Sequence, residues 1–103
     1  MRKQKRKGMI GKPVRYSNHL EDRLVIRHIG RDLPERIIRE AERSFTDTAT
    51  GYRIAVATVA YRGAHHLMMV AFEETESEIV AVSIHPLDER DVDRKIRNGR
   101  WIA

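Results

Sequence analysis

The sequence predicts an α+β domain: an N-terminal helical hairpin packed on an antiparallel sheet of three to four strands, followed by a short C-terminal helix. Three observations carry this. Apolar residues recur at helical spacing between Asn18 and Phe45. From Arg53 to His85 the period changes to two, with β-branched residues in runs. The links between those runs are short, so successive strands pair as an antiparallel meander.

Each element has a local reason. Residues 13–16 suit a short edge strand, with Pro13 confined to its start. A first helix is predicted from Asn18, where Glu21 completes a capping-box spacing, and Gly30 is its natural stop. Leu20, Leu24 and residues 26–29 form its apolar stripe. Asp32 and Glu35 repeat the capping spacing for a second helix, Pro34 suits its first turn, and Ile37, Ile38, Ala41 and Phe45 follow as a buried stripe. Residues 46–51 read as a short strand or bend. Strands are predicted over 53–61, 65–73 and 78–85, separated by Arg62–Gly63 and by the polar segment 74–77. In the last strand Val80, Val82 and Ile84 share one face, expected to pack on Leu20, Leu24, Ile37, Ile38 and Ala41. Pro86 closes that strand, and residues 88–98 read as a charged helix stopped by Gly99.

The chain has 103 residues, which allows one domain, and no cysteine, which excludes disulfides and thiolate chemistry. Its longest apolar run, residues 67–72, is far short of the ~20 residues of a membrane helix. With no apolar segment after the basic start, a cytoplasmic location and no membrane partner are expected. Charge is unevenly placed. Residues 1–15 hold seven basic side chains and no acid, while the rest is slightly acidic. Residues 1–12 therefore read as a basic flexible arm ahead of a domain spanning 13–103. Such an arm, through Arg2, Lys3, Lys5, Arg6 and Lys7, suits a phosphate backbone, with RNA the expected partner and DNA the alternative. The plainer reading is a solubilising tail. Arg97 and Arg100 in a second basic cluster are further candidate nucleic-acid contacts.

His19 and His85 stand at element ends, and an imidazole ordinarily changes charge near neutrality, as acid–base chemistry requires. Arg23, one helical turn after His19, can stabilise charge on a phosphate. Against this stand plainer roles: a polar first-turn histidine, a strand-end histidine and a surface ion pair. His65 and His66 point to opposite sheet faces, and no spacing supports a zinc site, so neither metal nor cofactor is expected. Trp101 can stack on a base or staple the C-terminus to the domain.

The segment Asn18-His19-Leu20-Glu21-Asp22-Arg23, the helix pair, the meander and Ser83-Ile84-His85-Pro86-Leu87 before Gly99-Arg100-Trp101 together resemble small prokaryotic and phage proteins related to the RelE/BrnT-type toxin superfamily. The resemblance covers residues 13–101. It implies a helical pair on an antiparallel sheet, metal-independent endoribonuclease activity, and an antitoxin protein as partner. It assigns catalysis to His19, Arg23 and His85. The chain departs from the pattern in its acidic cluster, Glu73, Glu74, Glu76 and Glu78, and in the N-terminal arm. The rival expectations are a non-catalytic nucleic-acid-binding module and a protein-interaction domain.

Overall fold

The computed structural model describes residues 11–103. The basic residues Arg2, Lys3, Lys5, Arg6 and Lys7 lie outside the described residues. Lys12, counted with the arm on charge, is held in place: its ammonium reaches Glu74 at 2.8 Å, and its carbonyl accepts from Arg39 at 2.7 Å.

The chain runs β1 (Val14–Tyr16), α1 (Asn18–Ile26), α2 (Leu33–Glu40), β2 (Arg43–Asp47), β3 (Arg53–Tyr61), β4 (Ala64–Glu74), β5 (Ile79–Leu87), α3 (Glu89–Arg97) and β6 (Trp101–Ile102). The strands form one six-stranded sheet in the order β1-β5-β4-β3-β2-β6. β3, β4 and β5 form an antiparallel meander, β2 and β6 extend it antiparallel on one side, and β1 joins the other side parallel to β5.

This corrects the expected architecture in two ways. The sheet is mixed and six-stranded rather than antiparallel with three to four strands. The two N-terminal helices are also not a hairpin packed on it. α1 rests on β5, while α2 rests chiefly on β3 and β4. The added strands are short, and β1 and β6 pair with strands remote in sequence. β1 is fixed by the Ile79 N–H donating to the Pro13 carbonyl and the Ser17 N–H donating to the Ala81 carbonyl, each at 2.9 Å. A three-residue strand carries too little alternation to reveal its partner. β2 was hidden differently. Ala41 and Phe45 continue the helical spacing of α2, yet the backbone turns extended at Ala41 (ψ 132°) and Phe45 joins another core.

That second core is the main addition. One sheet face buries Leu20, Leu24, Ile37 and Ile38 of the helices against Ala55, Val70, Phe72, Ile79, Ala81 and Ile84. The opposite face buries Phe45, Ile54, Val56 and Ala71 beneath Val92 of α3 and Trp101 of β6. Trp101 stacks on Phe45 with ring centroids 5.3 Å apart, so it staples the C-terminus to the domain.

A bulge in β5 decides which residues face which core. Ala81 pairs with Phe72 and Ser83 with Ala71, leaving Val82 as the extra residue. Before it, Ile79 and Ala81 face the helices. After it the parity switches, and Ile84 faces them instead. The face expected for Val80, Val82 and Ile84 is thus right for Ile84 and reversed for the two valines, which are half-exposed. The same switch turns Ser83 and His85 away from the helical layer.

Candidate active site at the edge of the sheet

Two caps set the length of α1 and with it a row of side chains. Ser17, rather than Asn18, is the N-cap, its hydroxyl accepting from the Leu20 N–H at 3.1 Å. The helix stops before Gly30. His28 takes a left-handed φ of 55°, the Ile29 N–H donates to the Leu24 carbonyl, and the His28 N–H donates to the Val25 carbonyl. This is a Schellman ending with histidine where glycine is usual, closed by apolar contact between buried Ile29 and Leu24. Between these ends His19, Arg23 and Arg27 recur every four residues and share one face.

The cations in that row lack acidic partners. Among the described residues, Arg15, Arg31, Arg36, Arg39, Arg43, Arg94 and Arg100 each hold a carboxylate. Arg31 takes Glu21, which the sequence offered equally to Arg23. Among the described residues no ion pair forms at Arg23 or Arg27, both partly buried, nor at Arg53, Arg62, Arg90 or Arg97 elsewhere.

His85 stands across from this row. The register of β1 with β5 ends at Ala81, so His85 lies on a stretch of β5 that β1 does not pair. Partial desolvation of the ring, in a residue that stays exposed overall, and then the positive charges of Arg27, Arg23 and His19 hold its imidazole below the usual histidine range. No carboxylate acts on it to offset them. Of the residues expected to form a site, His19 and Arg23 thus act on His85 through their charge, and among the described residues no hydrogen bond joins the three. Arg27 was missed by sequence reasoning. Its signal was present, since it extends the His19–Arg23 spacing by one more turn.

On its other side His85 borders a cavity of about 280 Å³. Ile54, Met69 and Ala71 form an apolar floor, and Ser83, Tyr52, Lys95 and Trp101 form walls. α3 roofs it because Asp88 and Asp91 form a reciprocal capping box that fixes its start. Lys95 then lies over the Trp101 ring, 5.9 Å from its centroid. The rim is locked by Asp47, which is 6% exposed and accepts from Arg100 at 2.7 Å and from the Ala49 and Thr50 N–H groups at 2.9 and 3.1 Å. Burial opposes ionisation of Asp47, but Arg100 and the two backbone donors outweigh it and hold its carboxyl below the usual range. Arg100 thus has a structural partner, while Arg97 is exposed.

Elsewhere, a more open concavity of about 800 Å³ beside Lys12 and Arg53 is lined by Glu73, Glu74 and Glu76 and contains no histidine. His65 and His66 are exposed, and His66 meets Tyr61 edge-on at 5.7 Å. Among the described residues no three histidines or carboxylates stand close enough to hold a metal ion, and no helix is long and apolar enough to cross a membrane. No family model, curated protein or solved structure matches the chain.

Proposed function

We propose that the chain is a metal-independent endoribonuclease whose site lies between α1 and the carboxyl end of β5. The observation that carries this reading is an imidazole held below the usual histidine range by desolvation and by two guanidinium groups that, among the described residues, have no acidic partner. A neutral imidazole accepts protons, and unpaired cations accept a phosphate. On this reading His85 takes the proton from a ribose 2′-hydroxyl as its oxygen attacks the adjacent phosphorus. Arg23 and Arg27 stabilise the charge gathering on the phosphoryl oxygens. His19 gives a proton to the departing 5′-oxygen, leaving a 2′,3′-cyclic phosphate and a 5′-hydroxyl. The resemblance to RelE/BrnT-type toxins supports the same residues. It adds an antitoxin protein as a further proposal, and the cytoplasmic location expected from the basic start of the sequence remains one as well.

Incubation of the purified chain with RNA in a chelator tests this. Cleavage is expected to persist, and His19→Ala or His85→Ala to lower turnover on the order of 10²–10⁴-fold with RNA binding nearly kept. RNA that is bound and never cut, with or without added metal, overturns the reading. A non-catalytic RNA-binding module, using Arg97 and the basic N-terminal residues, then takes its place.

A further inference from the structure

The cavity beneath α3 is built unlike an anion site. Its floor is apolar, made by Met69 and Ala71 of β4 with Ile54 of β3, and Trp101 closes one side. Three hydroxyl-bearing residues line it: Thr50, whose oxygen accepts from the Tyr52 N–H at 3.1 Å, and Ser83 and Tyr52, whose side-chain oxygens take no hydrogen-bond partner among the described residues. Its charged lining is Arg100, neutralised by its ion pair with Asp47, and Lys95, whose ammonium has no carboxylate within ion-pair distance among the described residues. The volume of about 280 Å³ falls at the small end of ligand pockets, which run ~300–1,000 Å³, so it has room for one heterocycle rather than an extended ligand. His85 belongs both to this cavity and to the cationic row of α1.

We infer that the cavity is a base-binding subsite that takes a single nucleobase of the nucleotide whose phosphate sits against His85, Arg23 and Arg27. This rests on the endoribonuclease reading only in taking that nucleotide to be part of the substrate. A flat apolar ring matches the floor. Hydroxyls that both donate and accept match the polar edge of a base, and Lys95 lies where a neighbouring phosphate would emerge. The bulge at Val82 is what makes the arrangement possible. Without the parity switch, strand alternation from Ile79 and Ala81 would aim Ser83 and His85 at the helical core.

The test is titration of the full, isotope-labelled chain with adenosine and uridine 3′-monophosphates, and separately with inorganic phosphate, followed by amide and indole NMR shifts. The nucleotides are expected to bind about tenfold more tightly than inorganic phosphate, a gap of ~1.4 kcal/mol. They should shift the Ala71 and Ser83 amides and the Trp101 indole, whereas phosphate alone should shift only α1 and His85. Ser83→Leu, at a half-exposed wall position, should abolish the nucleotide advantage and keep phosphate binding. Tyr52→Phe, which leaves the ring in place, should reduce the advantage without disturbing the fold. Nucleotides that bind no more tightly than phosphate, or that leave the cavity signals unmoved, overturn the subsite and leave the cleavage assay to judge the nuclease. Nucleotides seated in the cavity of a chain that never cuts RNA sustain the subsite and overturn the nuclease.

Discussion

Truncating β5 residue by residue measures the bulge energetically. Ile84 is 1% exposed in the helical core, whereas Val82 is half-exposed as the residue left unpaired by the bulge. Ile84→Ala removes three carbon atoms, worth about 0.8 kcal/mol each in transfer, or ~2.4 kcal/mol. The void left behind raises the loss to ~3–4 kcal/mol, within the ~2–5 kcal/mol span of buried isoleucine truncations. Val82→Ala removes two carbons from a position already half in water and leaves no closed cavity. Its loss should be ~0.8 kcal/mol, with Val80→Ala similar. Urea denaturation of the three variants, with unchanged m-values, reads the difference directly. Comparable losses at positions 80, 82 and 84 would mean that β5 alternates regularly, and the placement of Ser83 and His85 on the cavity face would fall with the bulge.

Other consequences follow from single residues. His28→Gly removes a left-handed side-chain conformation at the end of α1 and should stabilise the domain by ~1 kcal/mol in the same assay; a loss would show that the imidazole holds the turn. Asp47→Asn should cost about 1–2 kcal/mol at neutral pH, a modest figure because the Arg100 guanidinium is 38% exposed. The Asp47 carboxyl is held below its ordinary range in the fold, so its contribution is present above the unfolded aspartate value and lost as pH falls through the folded one. The wild-type and Asp47→Asn stability curves should therefore converge in acid, and a gap independent of pH would contradict the charge-based account. Arg27→Gln should lower kcat/KM on RNA on the order of 10-fold or more with little change in stability, because no ion pair is broken; unchanged kinetics would remove Arg27 from the site.

Much of the meander was legible because its strands are long and are separated by Arg62–Gly63 and by a short polar segment. β3 spans Arg53–Tyr61 as the alternation predicts, and Gly63 supplies the positive φ of the tight turn before β4. The helices were legible as elements but not in their capping, since Ser17 displaced Asn18 and Asp32 makes no side-chain cap bond. What sequence could not show is long-range. β1 and β6 are defined by partners more than 50 residues away, and the bulge exists only in the mismatch between two strands. The plainer reading of Arg23 was a surface ion pair with a neighbouring acid such as Glu21 or Asp22; the fold gives Glu21 to Arg31 and, among the described residues, leaves Arg23 without an ion pair. Regular alternation placed Ser83 and His85 together on the right terms, opposite Ile84, but could not reveal a cavity roofed by a helix that follows them.

On the proposed function His19, Arg23, Arg27 and His85 act as one electrostatic unit poised for a phosphate. The most direct measurement is the NMR titration of the His85 imidazole in the full chain, repeated in the Arg23→Gln/Arg27→Gln double variant and with saturating phosphate. The wild-type pKa should lie below the ~6.5 of an unperturbed histidine. It should move upward when the two guanidinium groups are neutralised by substitution or by bound anion. A His85 that titrates at its ordinary value, or that responds to neither change, would contradict the account.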